Sequence, residues 1–409
     1  MTIPTPRVEI GFDLTESNLA PFFTLDDAVK GVLNNTVYTI GGPLVFFDIT
    51  DRVRTININR GRTGLFTEFP AGAAVVELNN HDRAFDPVYP ESPFYGNIIP
   101  RRAIKVFSNN ELIFFGYVND WNFDYLPDDD SVATAICNDD LGFLNGIALE
   151  AQTPTQQYTG ERIEAILDAP EVDWPVALRD IETGKSLVGT QAIEDGTNAL
   201  SYLQKVAETE PGLFFISKSG LLTFRDKLSF YDPTTSVVFS NTSGIRFSNV
   251  QVSFGSELLY NEAIIANDGG GTVVAQELNS QAAYGKSAYS VTDLLGTSDT
   301  QAAQYAVDFL VQYSNPQYRI ESLEIPMHRL SASQQNDVLA LDVGSTAEVQ
   351  FTPNKIGDPI VRYGEINHLE HTITNTEHFI NMKFREVTQT VLVLDDAVFG
   401  KLDTTNVLT

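Results

Sequence analysis

Residues 56–59, Ile-Asn-Ile-Asn, alternate apolar and polar side chains, which is the pattern of a β-strand with one buried face. Further along, Trp121, Phe123 and Tyr125 share one face of another predicted strand. The other predicted strands of this region cover 74–78, 103–107, 112–115 and 132–137. Turn residues such as Asn109-Asn110 separate these runs. We therefore expect the chain up to about residue 145 to form an antiparallel barrel or sandwich.

The pattern changes after residue 150, where helical spacing replaces the alternation. Residues 163–167 predict one helix, which Pro170 ends, and residues 198–208 predict a second. A hairpin is predicted at 213–224, around the turn Ser-Lys-Ser-Gly. The sequence thus predicts a small α+β unit in the middle of the chain.

Strand patterns return from about residue 236, including a hairpin around the Asp-Gly-Gly-Gly turn at 268–271. One helix interrupts them, and we expect Thr300 to cap it and Asn315-Pro316 to end it. Its predicted apolar stripe consists of Ala303, Ala306, Val307, Leu310 and Tyr313. Later strands are predicted at 319–325, 346–351, 364–374 and 379–388. The last part of the chain is therefore predicted to be a second β region.

The chain is strongly acidic: 26 Lys and Arg residues stand against 54 Asp and Glu residues, a net charge of −28 in 409 residues. This balance disfavours tight binding to duplex nucleic acid, because that affinity relies on Lys and Arg neutralising phosphates. It also disfavours docking on an anionic membrane. No apolar run reaches the roughly 18 residues of a spanning helix, and the N-terminus lacks a secretory pattern. We expect a soluble, acidic, multi-domain protein.

Three of the five histidines, His368, His371 and His378, lie close together in the sequence. Residues an odd number of positions apart on a strand face opposite sides, so neighbouring members of this group are not expected to converge. The spacing also lacks the two histidines four apart that a zincin helix requires. We interpret them as solvated strand histidines and predict no metal site.

Other candidate sites have simpler interpretations. The acidic run 128–130 lacks the ligand spacing of a calcium loop and is interpreted as a hairpin tip. The glycines at 269–271 lack the Gly-Lys-Ser/Thr of a phosphate loop. Cys137 is expected to be a buried structural thiol. No catalytic or cofactor-binding residue is predicted, although a glycosidase pair of carboxylates can be neither located nor dismissed in so acidic a chain.

A group of arginines lies in the first β region, and in so acidic a chain we expect them to pair with carboxylates within or between subunits. The group comprises Arg52, Arg54, Arg60, Arg62, Arg101 and Arg102. A nucleic-acid site would need interleaved aromatic residues and a basic face, and neither is present in the sequence.

A nine-residue element near the start of the chain returns near its end: LDDAVKGVL at 25–33 and LDDAVFGKL at 394–402. Seven of the nine positions are identical. We interpret both as copies of one docking element, whose apolar and acidic side chains would contact other proteins. The candidate docking residues are Leu25, Asp26, Asp27, Val29, Leu33, Leu394, Asp395, Asp396, Val398 and Leu402.

Several segments, in this order, resemble minor tail proteins of long-tailed, non-contractile phages. In the first half they are 48–62 (DITDRVRTININRGR), 69–87 (FPAGAAVVELNNHDRAFDP), 99–106 (IPRRAIKV) and 115–121 (FGYVNDW). In the remainder they are 212–227 (GLFFISKSGLLTFRDK), 260–268 (YNEAIIAND), Tyr-Gly at 284–285, 312–325 (QYSNPQYRIESLEI) and 392–408 (LVLDDAVFGKLDTTNVL).

The resemblance implies the architecture of a tail-tip or baseplate hub: a mainly β protein with a small α+β insert and two tail-tube-like antiparallel β-barrel domains. The expected division follows the sequence regions above. It gives an N-terminal extension with a docking element (1–36), a first barrel (37–150), the α+β insert (151–235), a second barrel (236–390) and a C-terminal docking tail (391–409).

In such hubs three chains form a ring around the DNA channel. The resemblance therefore implies a homotrimer at the virion tail tip, assembled in the host cytoplasm. Implied partners are a distal tail or tail-tube protein and a downstream tip or fibre protein. DNA or a tape-measure protein would pass the lumen without tight binding, and this chain would not insert into a membrane. No enzymatic activity or cofactor is implied, and one cysteine cannot hold the iron–sulfur cluster that some hubs carry.

An alternative from another class remains open at this point, a virion-borne or secreted carbohydrate-binding β protein. The aromatic face of Trp121, Phe123 and Tyr125 would suit sugar stacking as well as core packing. Binding to host polysaccharide would separate it from a hub, and turnover assays would reveal a glycosidase.

Overall fold

The structure is a computed structural model, and it describes residues 3–12, 45–125, 130–228 and 236–387. Strands account for 42% and helices for 20%. This confirms the prediction of a mainly β protein with a smaller α+β part.

The first β region alternates buried and partly exposed side chains along its strands, as the sequence pattern predicts. Trp121 and the apolar residues before it belong to one long strand, where two runs were predicted. The strands are β1 (Pro6–Phe12), β2 (Val45–Asp48), β3 (Val53–Gly61), β4 (Ala73–Asn79), β5 (Arg102–Ser108), β6 (Glu111–Tyr125) and β7 (Ser131–Asn138).

The middle of the chain combines three helices with short strands. Asn198 caps the third helix by accepting a hydrogen bond from the Ser201 amide. The helices are α1 (Leu141–Leu144), α2 (Thr159–Leu167) and α3 (Ala199–Glu208). The strands are β8 (Ala148–Leu149), β9 (Gln157–Tyr158), β10 (Arg179–Ile181), β11 (Leu187–Val188), β12 (Thr197–Asn198), β13 (Leu213–Ile216) and β14 (Leu222–Arg225).

The last region returns to strands, with helices between some of them. The helices are α4 (Leu278–Tyr284), α5 (Asp299–Tyr313) and α6 (Ala332–Ala340). The strands are β15 (Val237–Ser240), β16 (Asn249–Ser253), β17 (Glu262–Asn267), β18 (Thr272–Gln276), β19 (Ala288–Leu294), β20 (Arg319–Pro326), β21 (Thr346–Phe351), β22 (Ile360–Thr374) and β23 (His378–Glu386).

The long helix α5 differs from its prediction in its cap and in its buried face. Ser298, and not Thr300, caps the helix, since its side chain accepts from the Gln301 amide. Val307, predicted in the apolar stripe, is 49% exposed, whereas Phe309 is buried. The buried face is therefore turned around the helix axis, with the Phe309 ring stacked on Tyr289 of β19 at 4.1 Å between ring centroids.

One sheet of 13 strands runs through both β regions. Its central order is β20-β23-β22-β3-β4-β7-β6-β5, so that β22 from the last region pairs with β3 from the first. This antiparallel pair extends from His368 opposite Gly61 to Thr374 opposite Thr55. The apolar faces of both regions form one continuous core. The two β regions are thus joined by strand pairing as well as by the connecting chain.

Two smaller cores accompany the large one. The first lies in the middle region, around α2 and α3. The second lies between α5 and the three-stranded sheet β18-β17-β19. Within the described ranges, no helix has both the length and the apolar character needed to cross a membrane.

Candidate functional site

One carboxylate connects the three regions of the chain. Arg60 at the end of β3 places Nη1 2.7 Å from Oδ1 of Asp342, in the loop before β21. The backbone N–H of Lys218, in the β13–β14 turn, donates to the other oxygen of Asp342 at 2.8 Å. Arg60 also donates to the Ile216 carbonyl at 3.0 Å. The three regions are therefore held together at one buried ionic contact.

Most of the other arginines in the group also pair with carboxylates of the same chain. Arg52 binds both oxygens of Asp82 at 2.8 Å, Arg54 pairs with Asp130, and Arg101 reaches Asp140 at 3.3 Å. This confirms the predicted pairing within the chain, and each of these three guanidinium groups already has a carboxylate partner. Two members differ: Arg62 donates to the Thr67 carbonyl, and Arg102 donates to Asn97.

The histidines do not behave as solvated strand residues. His371 and His378 are buried, and their rings meet with Nδ1 of His371 3.2 Å from Nε2 of His378. The predicted opposite facing is wrong because the two residues lie on different strands of a hairpin. Ile373 is opposite His378 in that hairpin, so His371 is its diagonal neighbour on the same face.

Burial keeps this histidine pair neutral. It lowers the pKa of His378 to about 3 and that of His371 well below its usual value. The nearby charges of Arg60 and Lys218 oppose protonation of His371 further. Ser108 on β5 lies 3.4 Å from Nδ1 of His378. In the described part of the chain, no group of three or more His, Cys, Asp or Glu side chains is placed to hold a metal ion.

One cavity lies where the loop after β3, helix α3 and helix α5 meet, and we call it the three-way cleft. Its volume is about 180 Å³. Seven aromatic side chains line it: Phe66, Phe69, Phe214, Tyr289, Tyr305, Phe309 and Tyr313. Four glutamines line it as well: Gln204, Gln301, Gln304 and Gln312. Its charged residues are Arg62, Lys227, Arg385, Glu68, Glu208 and Asp308.

The aromatic residues of the cleft pack against one another. Tyr289 and Phe309 stack with ring centroids 4.1 Å apart, and Phe66 contacts both at 5.0 and 5.6 Å. Phe66 lies on the loop after β3 and is 37% exposed. The loop is held by Arg62, whose guanidinium lies 4.6 Å from the Phe69 ring. Phe66 of the first β region thus shares a wall of the cleft with Tyr289 and Phe309, which belong to the last region.

Burial shifts the ionisable groups of the cleft towards their neutral forms. It raises the pKa of Tyr289 to about 12 and lowers the pKa of Arg62 to about 10. The pKa of Glu208 is also raised by burial and by the neighbouring Glu68. Perturbed groups around a cavity are typical of binding sites. The cleft could not be predicted from the sequence, because its walls come from three distant segments. The one signal for it is the aromatic Phe66 in a loop that follows Gly61 and contains Gly64.

The candidate residues from the sequence have different outcomes. All ten candidate docking residues, within 25–33 and 394–402, lie outside the described residues, so the docking element stays a prediction. Cys137 is fully buried on β7, as predicted. The proposed sugar-stacking face is largely occupied by protein, since Trp121 stacks on Phe85 at 5.8 Å and Phe123 packs on the core.

The similarity of this chain to known proteins lies in its fold. No protein-family model matches this sequence, and no curated protein is significantly similar to it. The tail protein from Neisseria meningitidis MC58 superposes with a TM-score of 0.57 at 12% identity, over 83% of this chain and 93% of that one. The 43 kDa tail protein of prophage MuSo2 from Shewanella oneidensis gives 0.56 at 14% identity, over 84% and 96%. This chain therefore has the fold of phage tail proteins, which confirms at the level of the fold the resemblance found in its sequence.

Proposed function

We propose that this chain is a structural subunit of a phage tail, located at the tail tip as a baseplate hub. The observation that carries the proposal is the shared fold with two tail proteins, over more than four fifths of this chain and more than nine tenths of each of theirs.

In this proposal three copies form a closed ring around the DNA channel. The 13-stranded sheet offers a route to self-association, because among the described residues its terminal strands β2 and β16 each pair on one side only. Unpaired strand edges are templates for pairing with another chain. Closed cyclic symmetry is the common form of such assemblies.

Solution mass tests the ring. Three copies of 45.1 kDa give 135.3 kDa, and light scattering of the purified chain at micromolar concentration should report this value. Three-dimensional reconstruction of tail tips should show the same copy number. A monomer at every concentration and also in the assembled particle would refute the hub.

The ring should present an acidic wall to the DNA. Each copy carries −28, and Arg52, Arg54, Arg60 and Arg101 are already paired with carboxylates. DNA must pass without the salt-sensitive affinity that free Lys and Arg would add. We expect no duplex binding at micromolar protein in about 50 mM salt, measured by fluorescence anisotropy. Saturable binding under that condition would contradict the acidic lumen.

The proposed neighbours are a distal tail or tail-tube protein on one side and a tip or fibre protein on the other, with virion localisation. The twin elements at 25–33 and 394–402 are proposed to contact them. No catalytic role is part of the proposal. The sugar-binding alternative at Trp121 loses its main support, since of the three aromatic residues there only Tyr125 is exposed, at 57%.

A further inference from the structure

The three-way cleft has the dimensions of a single-ring site. Its volume of about 180 Å³ lies below the roughly 300–1,000 Å³ of pockets that hold drug-sized molecules. A fused-ring cofactor or a nucleotide would extend out of this space into solvent. One six-membered ring, or one unit of a longer chain that continues into solvent, matches the space.

The walls suit a ligand with an apolar face. Phe66, Tyr289 and Phe309 form a contiguous aromatic surface with centroid separations of 4.1–5.6 Å. Phe66 remains 37% exposed although it contacts these rings, so part of its surface is free for a further contact. The axial C–H groups of a sugar ring pack well on aromatic side chains of this kind, because such rings offer large rigid apolar surfaces beside polar groups.

The charges of the cleft favour an uncharged ligand. Three basic side chains line the cleft, and three acidic side chains balance them, in a chain whose net charge is −28. A site for a cation or an anion would carry an excess of the opposite sign. The lining of the cleft therefore carries no excess of either sign that would attract a ligand with a net charge.

The polar lining of the cleft suits a ligand that both donates and accepts hydrogen bonds. The side-chain amides of Gln204, Gln301, Gln304 and Gln312 line the cleft, and an amide both donates and accepts hydrogen bonds. The carboxylates of Glu208 and Asp308 supply acceptors on the same walls. Hydroxyl groups meet both demands, since each donates and accepts.

We propose that the three-way cleft binds an uncharged pyranose, as a free sugar or as one unit of a polysaccharide. The proposal goes beyond the structural role in the tail and does not rest on it, because the cleft lies within one copy of the chain. It also differs from the aromatic face around Trp121, where the Trp121 and Phe123 rings pack on protein.

The test uses the full purified chain and saturation-transfer NMR with methyl glycosides of neutral hexoses and N-acetylhexosamines. Glucuronic acid and glucosamine serve as charged comparators. A monosaccharide of about a dozen atoms should bind with a Kd of about 1–10 mM. The substitutions Phe66→Ala and Gln304→Ala should each weaken binding about tenfold, as removal of a central contact does.

The control variant is Tyr284→Ala, which removes an aromatic residue that is 55% exposed on α4 and does not line the cleft. It should bind like the unchanged chain. Thermal melting verifies that each variant is folded, and Gln304→Ala keeps the test valid should Phe66→Ala unfold. Absence of saturable binding to every neutral sugar would overturn the proposal. So would tighter binding of a charged comparator, or unchanged binding in a folded Gln304→Ala variant.

Discussion

Arg60 and Asp342 form an ion pair at 2.7 Å, with the Arg60 side chain 4% exposed and that of Asp342 18% exposed. The pair joins the first β region to the last, and the backbone of Lys218 completes the contact from the middle region. Loss of one partner would leave the other charge buried and unpaired, which costs far more than the pair itself contributes.

We predict that Asp342→Ala lowers the free energy of unfolding by about 3–5 kcal/mol, because it strands the buried Arg60 guanidinium. Urea denaturation followed by circular dichroism measures the change. The matched control is Arg52→Ala at the more exposed Arg52–Asp82 pair, which should cost about 0–1 kcal/mol. Equal losses of unfolding free energy in the two variants would show that the contact among the three regions stabilises the fold no more than an exposed ion pair does.

The buried histidine pair predicts that stability falls in acid. The folded pKa values of His371 and His378 lie below the unfolded value of about 6.5. Below pH 6.5 the unfolded chain therefore binds protons that the folded chain does not. The free energy of unfolding should drop by up to about 1.4 kcal/mol per pH unit for each histidine between pH 6.5 and 4.

The double substitution His371→Leu and His378→Leu should make this slope shallower, since these two imidazoles no longer take up protons on unfolding. His368, whose pKa burial also lowers, still contributes. His81→Gln changes an exposed histidine and should leave the slope as it is. Urea midpoints measured at half-unit pH intervals give all three curves. A double variant with an unchanged slope would assign the acid sensitivity to other groups.

Gly61 is predicted to be indispensable for the β3–β22 pair. Its φ is +88°, and a Cβ at this position would lie 2.1 Å from the Asn367 carbonyl oxygen. The substitution Gly61→Ala should cost about 2–4 kcal/mol, from the left-handed backbone and from the clash together. Gly269, with φ +70° and open space around it, is the control, and Gly269→Ala should cost only about 1–2 kcal/mol. Thermal denaturation compares them.

The twin docking elements predict an assembly defect without loss of stability. Replacing Leu394 and Val398 with Ser should leave the melting temperature within about 2 °C of the unchanged chain, since a docking element would contact other proteins and not the core of this chain. Incorporation into tails, measured by complementation and electron microscopy, should be lost. The same changes at Leu25 and Val29 form the second arm. Early melting combined with normal assembly would make the element structural.

Local sequence patterns predicted most of the strands, because alternation is a property of neighbouring residues. The pattern at 56–59 became β3, and the run at 132–137 became β7. The rotation of the buried face of α5 was not predicted, because an apolar stripe chosen from residue spacing alone takes no account of side-chain size. Phe309 is buried and Val307 is 49% exposed. Burial of the larger apolar side chain gives the larger hydrophobic stabilisation.

Contacts between distant segments were beyond such patterns. The odd spacing of His371 and His378 misled because a turn between them starts a new strand, and facing is then set by hairpin register. Nothing in the sequence around Arg60 points to Asp342 as its partner, although a carboxylate partner of some kind was expected. The three-way cleft could not be predicted for the same reason, since none of the segments that line it has a distinctive sequence pattern by itself.

The pairing of β3 with β22 also means that β3 is synthesised long before its partner strand. Gly61 leaves the ribosome about 300 residues before His368, its partner in the sheet. At roughly 5–20 residues per second this gap lasts about 15–60 s. During that time one edge of β3 is exposed to the nascent chains of neighbouring ribosomes on the same message. A message truncated before β22 would therefore yield a product prone to aggregation, and the cell is expected to make this protein safely only when translation runs through to β22.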